Sequence, residues 1–289
     1  MTQNPIPQEL WSYLQNKYKA VDARIVKGGS INETAKIITP TQIFFIKWNQ
    51  DFIPGFFESE VNNLELVAAT NTAKTPQLIE FGLTEDSSFL MLEYLQPGFH
   101  TYQSMQTLGE QLAQMHKQKS DFSGLHYHNY CGLLPQYNAR SSSWADFFIE
   151  YRLKPLVNKA FSQNLLSLDE VERFVKLFTV FPSLFPQEQS CLLHGDLWNG
   201  NFMITESQIP YLLDPACYYG HREVDIAMTM LFGGFDKAFY DAYTANYPLE
   251  EGWKERSALW NLYPLLVHLI LFGSSYRQQL VAQLSAIAA

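Results

Sequence analysis

The residues best suited to chemistry in this chain fall in two short runs. The first is Leu192-Leu193-His194-Gly195-Asp196-Leu197-Trp198-Asn199-Gly200-Asn201-Phe202-Met203, and the second is Leu212-Leu213-Asp214-Pro215-Ala216. Asp196 and Asn201 stand five positions apart, and Asp214 follows eighteen after Asp196. Apolar residues flank each polar group and read as short buried strands, while the Gly and Asn residues between them bend the chain. Such an arrangement aims two carboxylates and one amide into a single cleft. Phosphoryl transfer to a hydroxyl needs this set. One carboxylate orients the hydroxyl and accepts its proton, while an amide oxygen and a second carboxylate hold magnesium on the nucleotide phosphates. Asp196 is the expected base, and Asn201 and Asp214 are the expected metal ligands. Either run alone reads most simply as a solvated turn; both together, in this order and spacing, weigh against that.

A cleft of this kind needs a second wall to hold the phosphates, and the N-terminal third supplies the elements for one. Apolar residues at Ile6, Leu10, Trp11 and Leu14 have helical spacing. Residues 25–26, 35–38 and 43–48 read as three strands, with Gly28-Gly29-Ser30 in the turn between the first two. Glycines there let backbone N–H groups approach phosphates closely. Lys47 closes the third strand and can cross to the α- and β-phosphates if an acid holds it. Residues 56–66 form the next helix, with Phe57, Val61, Leu64 and Val67 on one face and Glu60 beside them. Glu60 is the expected partner of Lys47, with Glu58 and Glu65 exposed. Residues 76–82 and 88–95 add two strands and complete a five-stranded sheet. The second runs into Gln96-Pro97-Gly98, a strong break that reads as the hinge between two lobes. Adenine is expected against the backbone of Glu93, Tyr94 and Leu95.

The remainder reads as mainly helical. Leu108, Leu112, Met115 and His116 mark one helix, with His116 a core-edge histidine rather than a catalyst. Residues 124–143 read as a loop, 144–156 and 168–178 as amphipathic helices, and 260–272 as a buried helix. Asp225 opens the helix after the metal run. It can cap that helix or brace the catalytic loop. His194 and Asp225 together are the expected supports of the loop.

Composition narrows the function further. The chain has 289 residues, enough for two lobes with a core each. Hydrophobic residues make up 47% and charged ones 17%, as in a globular protein. With a formal charge of −9 and no basic run, neither nucleic acid nor a membrane is an expected partner. Cys131, Cys191 and Cys217 are few, distant and set among apolar residues, which fits reduced thiols in a cytoplasmic protein. The first residues carry neither a basic segment nor an apolar one of the kind that directs export.

These runs resemble established families. Protein kinases carry H-R-D-L-x-x-x-N and D-F-G; here Gly195 stands for the Arg and Asp214-Pro215-Ala216 for D-F-G, as in small-molecule kinases of the aminoglycoside and choline kinase group. More specifically, residues 194–201 and the run Asp214-Pro215-Ala216-Cys217-Tyr218-Tyr219-Gly220-His221-Arg222-Glu223-Val224-Asp225 resemble the fructosamine kinase (ketosamine 3-kinase) family. So do residues 28–31, 57–60, 92–95, 253–256 and 262–266, so the resemblance spans nearly the whole chain. It implies an α+β, two-lobed protein-kinase-like fold. A small N-lobe (1–95) holds the five-stranded antiparallel sheet and one main helix, and a larger, mostly helical C-lobe (96–289) carries catalysis and substrate binding. It implies ATP and Mg2+ as cofactors and, as acceptor, a sugar hydroxyl of a small or protein-bound ketoamine. The phosphorylated adduct then decomposes and frees the amine, a repair of glycation. By motif, Asp196 is the base, Asn201 and Asp214 the metal ligands, and Lys47 with Glu60 the phosphate-side pair. The substrate is expected against Trp198 and against Tyr218, Tyr219, His221 and Arg222, where rings face a sugar and polar groups bond its hydroxyls. The alternatives are a kinase for an aminoglycoside, choline or other small alcohol, and a nucleotide-binding protein without catalysis. Intact Lys47, Asp196, Asn201 and Asp214 argue against the last.

Overall fold

A computed structural model describes residues 5–26 and 31–287. It opens with helix α1 (Gln8–Tyr18), followed by β1 (Asp22–Ile25), β2 (Glu33–Ile38) and β3 (Ile43–Asn49). Helix α2 (Phe56–Ala69) precedes β4 (Leu78–Leu83) and β5 (Ser88–Glu93). The strands form one antiparallel sheet in the order β1-β2-β3-β5-β4. Side chains alternate across a pleated sheet, and that parity sorts this one. Ala35, Ile37, Phe44, Ile46, Trp48, Phe89 and Met91 share one face, covered by Leu10 and Leu14 of α1. Leu90 and Leu92, with Phe45 beside them, take the other face, under Phe57, Val61 and Leu64 of α2. The N-terminal part thus has a helix on each face: α2, the expected main helix, and α1, where the apolar spacing from Ile6 to Leu14 reads as helical. Lys47 has the parity of Phe45, so the pleat turns it toward α2.

The sheet hands the chain over after β5. Pro97 pairs with Thr205, and the Gly98 N–H donates to the Ile204 carbonyl at 2.8 Å. A Cβ on Gly98 would lie 2.4 Å from the Thr205 carbonyl oxygen, so only glycine permits the approach.

Helix α3 (Tyr102–Met115) follows, started by a reciprocal cap between Thr101 and Ser104. Residues 124–143 are not a bare loop: β6 (Asn129–Cys131) and β7 (Leu134–Gln136) form an antiparallel hairpin. Short apolar stretches around Gly132, which has φ +59°, were the overlooked signal. Next come α4 (Trp144–Phe147), a π-helical turn over Phe148–Leu153 and α5 (Lys154–Ser162). Pro155 has no N–H to give the Tyr151 carbonyl one turn back. That carbonyl instead accepts from Arg152 Nη1 at 3.2 Å.

Helix α6 (Leu168–Val180), capped by Ser167 and Glu170, precedes four three-residue strands. These are β8 (Cys191–Leu193), β9 (Phe202–Ile204), β10 (Pro210–Leu212) and β11 (Tyr218–Gly220), paired β9 with β10 and β8 with β11. Helices α7 (Glu223–Leu231), α8 (Lys237–Asn246), α9 (Trp253–Trp260), α10 (Leu262–Phe272) and α11 (Arg277–Ile287) complete the chain. The expected helix over 260–272 is split at Asn261, whose Nδ2 donates to the Ala227 carbonyl at 3.1 Å. The largest core gathers Phe148, Phe181, Trp260, Tyr263 and Leu266 behind the strands. All three cysteines are buried free thiols, and burial pushes each above the ordinary thiol value. No described helix is long and apolar enough to cross a membrane.

Candidate active site

A cleft of about 580 Å³ lies between the sheet and the helical half. Lys47, Glu60, Glu93, Tyr94, Leu95, Asp196, Trp198, Asn201 and Asp214 all line it. The two small strand pairs account for the lower wall. Strand β8 delivers residues 194–196 to the cleft, β9 and β10 support Asn201 and Leu213, and β11 carries the chain away underneath. Gly195, at φ +82°, is the pivot: a Cβ there would sit 2.1 Å from the Ala216 carbonyl oxygen. The left-handed conformation and the close approach both demand glycine.

Lys47 is buried and donates to Glu60 Oε1 at 2.8 Å and also to Asp214 Oδ1. Burial pulls its ammonium down, but Asp214 and Glu60 outweigh that and hold it above the ordinary lysine value. Glu58 and Glu65 are exposed, as expected. Asp214 itself sits at φ +50°, a left-handed conformation that Asp tolerates better than most residues.

Asn201 Nδ2 donates to both the carbonyl oxygen and Oδ2 of Asp196, each at 2.8 Å. These bonds fix the amide and leave Asn201 Oδ1 without a partner among the described residues. Asp214 Oδ2 is likewise unpartnered, on a side chain 49% exposed to the cleft. An amide oxygen and a carboxylate oxygen are the hard donors that magnesium takes, so the donor set fits that ion. Burial raises the Asp196 carboxyl to about 7; the nearby Asp214 and Asp225 charges add to this and the Asn201 bond opposes it.

The supports of this loop are explicit. Asp225 accepts from His194 N at 2.7 Å and from Gly195 N at 2.9 Å. It makes no capping bond to its own helix, so of its two expected roles the loop contact is the one present. His116 Nε2 donates to Asp225 at 3.1 Å, and its Nδ1 accepts from the Tyr243 hydroxyl at 2.7 Å. Burial raises the Asp225 carboxyl, yet His116 and the loop amides more than reverse that. His194 accepts the Asp196 N–H at Nδ1, 3.2 Å, and donates from Nε2 to the Leu213 carbonyl, 2.9 Å. One histidine thus ties Asp196 to the Asp214 run.

A buried amide cluster that the sequence did not reveal holds the metal run from behind. Asn63, on α2 three residues past Glu60, donates to the Pro215 carbonyl at 2.8 Å. Its oxygen accepts from the Tyr127 hydroxyl at 3.0 Å and from Asn129 Nδ2 at 3.2 Å. Asn129 also donates to the Cys217 carbonyl, and Gln136 to the Ala216 carbonyl, at 2.9 and 3.0 Å. Three successive carbonyls are therefore gripped by side-chain amides, one from the N-terminal half and two from the β6–β7 hairpin. No periodicity marks such residues; only the folded chain brings them together. Asn63→Leu should leave several buried polar groups unpaired, at about 1–3 kcal/mol each, and let the Asp214 loop shift. Melting temperature and the KM for magnesium-nucleotide should both worsen. Lower melting with an unchanged KM would show that the amide serves the fold alone.

Gly28, Gly29 and Ser30 fall outside the described residues, although Val26, Ile31 and Asn32 on either side line the cleft. The Glu93 carboxylate is tied to the Gln77 N–H at 2.9 Å, and its own N–H donates to the Gln77 carbonyl. Tyr218, Tyr219, His221 and Arg222 do not line the cleft, which corrects the expectation of substrate contact. Tyr218 is fully buried, with the Arg152 guanidinium 4.1 Å from its ring centre. Tyr219 packs on Phe122 at 5.4 Å. His221 stacks on Trp260 at 5.1 Å and donates to the Pro186 carbonyl. Arg222 pairs with Glu188 at 2.8 Å and donates to the Tyr247 and Pro248 carbonyls. The physical reason is the β8–β11 pairing: β11 runs behind the loop that faces the cleft, so its side chains and the two after it enter the core. Trp198 alone of the five reaches the cleft.

Comparison with known proteins identifies the family and the fold. A family model described as fructosamine kinase matches residues 2–289. A protein named as a probable ketoamine kinase of Enterococcus faecium is 37% identical over 256 residues, covering 88% of this chain and 91% of its own length. The chloroplastic protein-ribulosamine 3-kinase of Arabidopsis thaliana is 34% identical, covering 96% of this chain and 85% of its own. Among solved structures, a Haemophilus somnus protein described as a candidate fructosamine-3-kinase superposes with TM-score 0.87 at 28% identity, covering 98% and 97% of the two chains. An aminoglycoside phosphotransferase with AMP-PNP and hygromycin B bound matches at TM-score 0.67 and 11% identity over 97% and 99%, a likeness of fold alone. The two-lobed fold, the cleft between its halves and the full-length matches agree: this chain belongs to the fructosamine kinase family.

Proposed function

We propose that this chain transfers the γ-phosphoryl group of ATP to a sugar hydroxyl of a ketosamine, the 3-hydroxyl by resemblance. The observation that carries the reading is the convergence of Asp196, Asn201 and Asp214 in one cleft with the Lys47–Glu60 pair. Asp196 orients the acceptor hydroxyl and takes its proton. Asn201 and Asp214 would hold magnesium, which shields the phosphate charge when bound. Lys47, kept charged by its two carboxylates, meets phosphate oxygens. The backbone at Glu93, Tyr94 and Leu95 is the seat for adenine. The relatives named for ketoamines and ribulosamine support the acceptor class.

The direct test is an ADP-coupled assay on a panel of ketosamines, an aminoglycoside and choline, with the phosphorylated position read by 31P–1H correlation. Phosphate on the 3-oxygen of a ketosamine is the expected product; preferential turnover of choline or the aminoglycoside would overturn the reading. The pH profile checks the base. A carboxylate accepts a proton only when ionised, and the Asp196 carboxyl sits near 7. Thus kcat/KM should be flat above that range and fall tenfold per unit below it. A profile level down to pH 5 would remove Asp196 from the role.

A further inference from the structure

The cleft continues past the phosphoryl-transfer residues, and its outer part is built of rings. Trp198 stands two residues beyond Asp196 and meets Phe232 edge-on at 6.1 Å. Phe232 lies 4.8 Å from His268, which lies 5.4 Å from Phe272 and 5.0 Å from Tyr276. All five line the same cavity. Spacing explains two of the last three: His268 and Phe272 fall one helical turn apart on α10, while Tyr276 follows the break at Gly273 in the short turn Ser274–Tyr276. The row begins beside the catalytic loop and ends at the surface, where Phe272 is 44% exposed.

The row carries no formal charge. His268 is bonded through Nδ1 to the Pro264 carbonyl at 2.8 Å. A carbonyl only accepts, so Nδ1 bears the hydrogen and Nε2 offers a lone pair, with no partner among the described residues. Burial pulls the imidazole below its ordinary value, which keeps it neutral. The charged residues lining the described cavity are Lys47, Glu60, Glu93, Asp196 and Asp214. Four of these belong to the phosphoryl-transfer set, and Glu93 is bound at the hinge.

We propose that Trp198, Phe232, His268, Phe272 and Tyr276 form the seat for the amine end of the ketosamine. Their faces receive its ammonium and the apolar part of its substituent, and His268 Nε2 accepts a hydrogen bond. The proposal rests on the ketosamine reading and adds the kind of amine. In such a substrate the amine sits on C1, two carbon–carbon bonds from the reacting C3. With the 3-hydroxyl at Asp196, the amine has to leave the phosphates along the row that starts at Trp198. Ring faces attract cations and suit apolar groups. A carboxylate on the substituent meets the same negative faces with no cation to offset them, so the seat selects against acidic amines. The open end at Phe272 lets a longer substituent run into solvent.

The test compares kcat/KM for the fructosyl derivatives of benzylamine, methylamine and aspartate, in the wild type and in His268→Ala and Phe272→Ala. In the wild type the benzyl derivative should exceed the aspartyl one by about tenfold or more. Each variant should lower the benzyl-to-methyl ratio about 3- to 10-fold, mainly through KM. Melting curves establish that both variants are folded, and Phe272, being partly exposed, is the safer of the two. Wild-type turnover with a benzyl-to-methyl ratio unchanged in both variants would overturn the proposal alone. So would preference for the aspartyl derivative. No turnover of any of the three by the wild type, beside turnover of another alcohol, would overturn the ketosamine reading and the proposal with it.

Discussion

Asp196→Asn is expected to lower turnover by about 10²–10⁴-fold, the usual cost of losing a general base. Affinity for nucleotide should stay within a factor of about two, because the base meets the acceptor hydroxyl rather than ATP. The substitution keeps the shape of the site: asparagine retains an oxygen for the Asn201 amide, which donates to Asp196 Oδ2 at 2.8 Å. Stability provides an independent reading. The Asp196 carboxyl is raised from 3.8 to about 7, so between those values the folded chain binds a proton that the unfolded chain does not. Stability therefore falls as pH rises through that window, and above it the buried charge weighs fully against the fold. Asparagine carries no such charge. The variant should melt at or above the wild type at pH 8, with the gap closing toward pH 4. Near wild-type turnover would sink the assignment, and lower melting at pH 8 would show that the carboxylate is not held uncomfortably.

Asp214→Asn should strike binding and turnover together. Its Oδ1 accepts from Lys47 and its Oδ2 has no partner among the described residues, so on the proposed reading one carboxylate would serve both the metal and the phosphate-side cation. Even residues that only position metal ligands cost about 10–100-fold in metal affinity or activity when changed. A ligand itself should cost at least that in kcat/KM for magnesium-nucleotide. Asparagine tolerates the left-handed conformation at φ +50°, so the backbone of the loop is not the cause of any loss. Magnesium titration separates the two duties. Excess magnesium should recover part of the Asp214→Asn activity but none of the loss in Glu60→Gln, which disturbs Lys47 alone. Wild-type affinity for magnesium-nucleotide would remove Asp214 from the ligand set.

The supports behind these residues were partly legible. Asp225 was readable as a loop brace because its place after the metal run is fixed by short chain distance. His116, which orients Asp225, was readable only as a buried histidine, since its partners Asp225 and Tyr243 lie 109 and 127 positions away. Asn63, Asn129 and Gln136 gave no signal at all. Each looks like any polar residue in a helix or turn until the hairpin docks on α2 and its amides meet three carbonyls.

The sequence by itself made the family, the fold class and the meeting of the cleft residues legible. Asp196, Asn201 and Asp214 are close in the chain and separated by turn-forming residues, so their meeting was legible from spacing, although distant amides and Asp225 hold the loops in place. Strand parity set Lys47 on the face of α2, and helical spacing set Glu60 beside that face; neither needed a distant contact. Tertiary structure decided which side of the hairpin faces the cleft. Tyr218, Tyr219, His221 and Arg222 looked like ligands because they are polar or aromatic and adjoin the metal run. Pairing of β11 with β8 turns them into the core. The rings that do line the cleft, Phe232, His268, Phe272 and Tyr276, come from segments that read as core helix or went unread. Their assembly depends on Phe232 standing between Trp198 of the catalytic loop and His268 of α10, long-range ring contacts that no local pattern encodes.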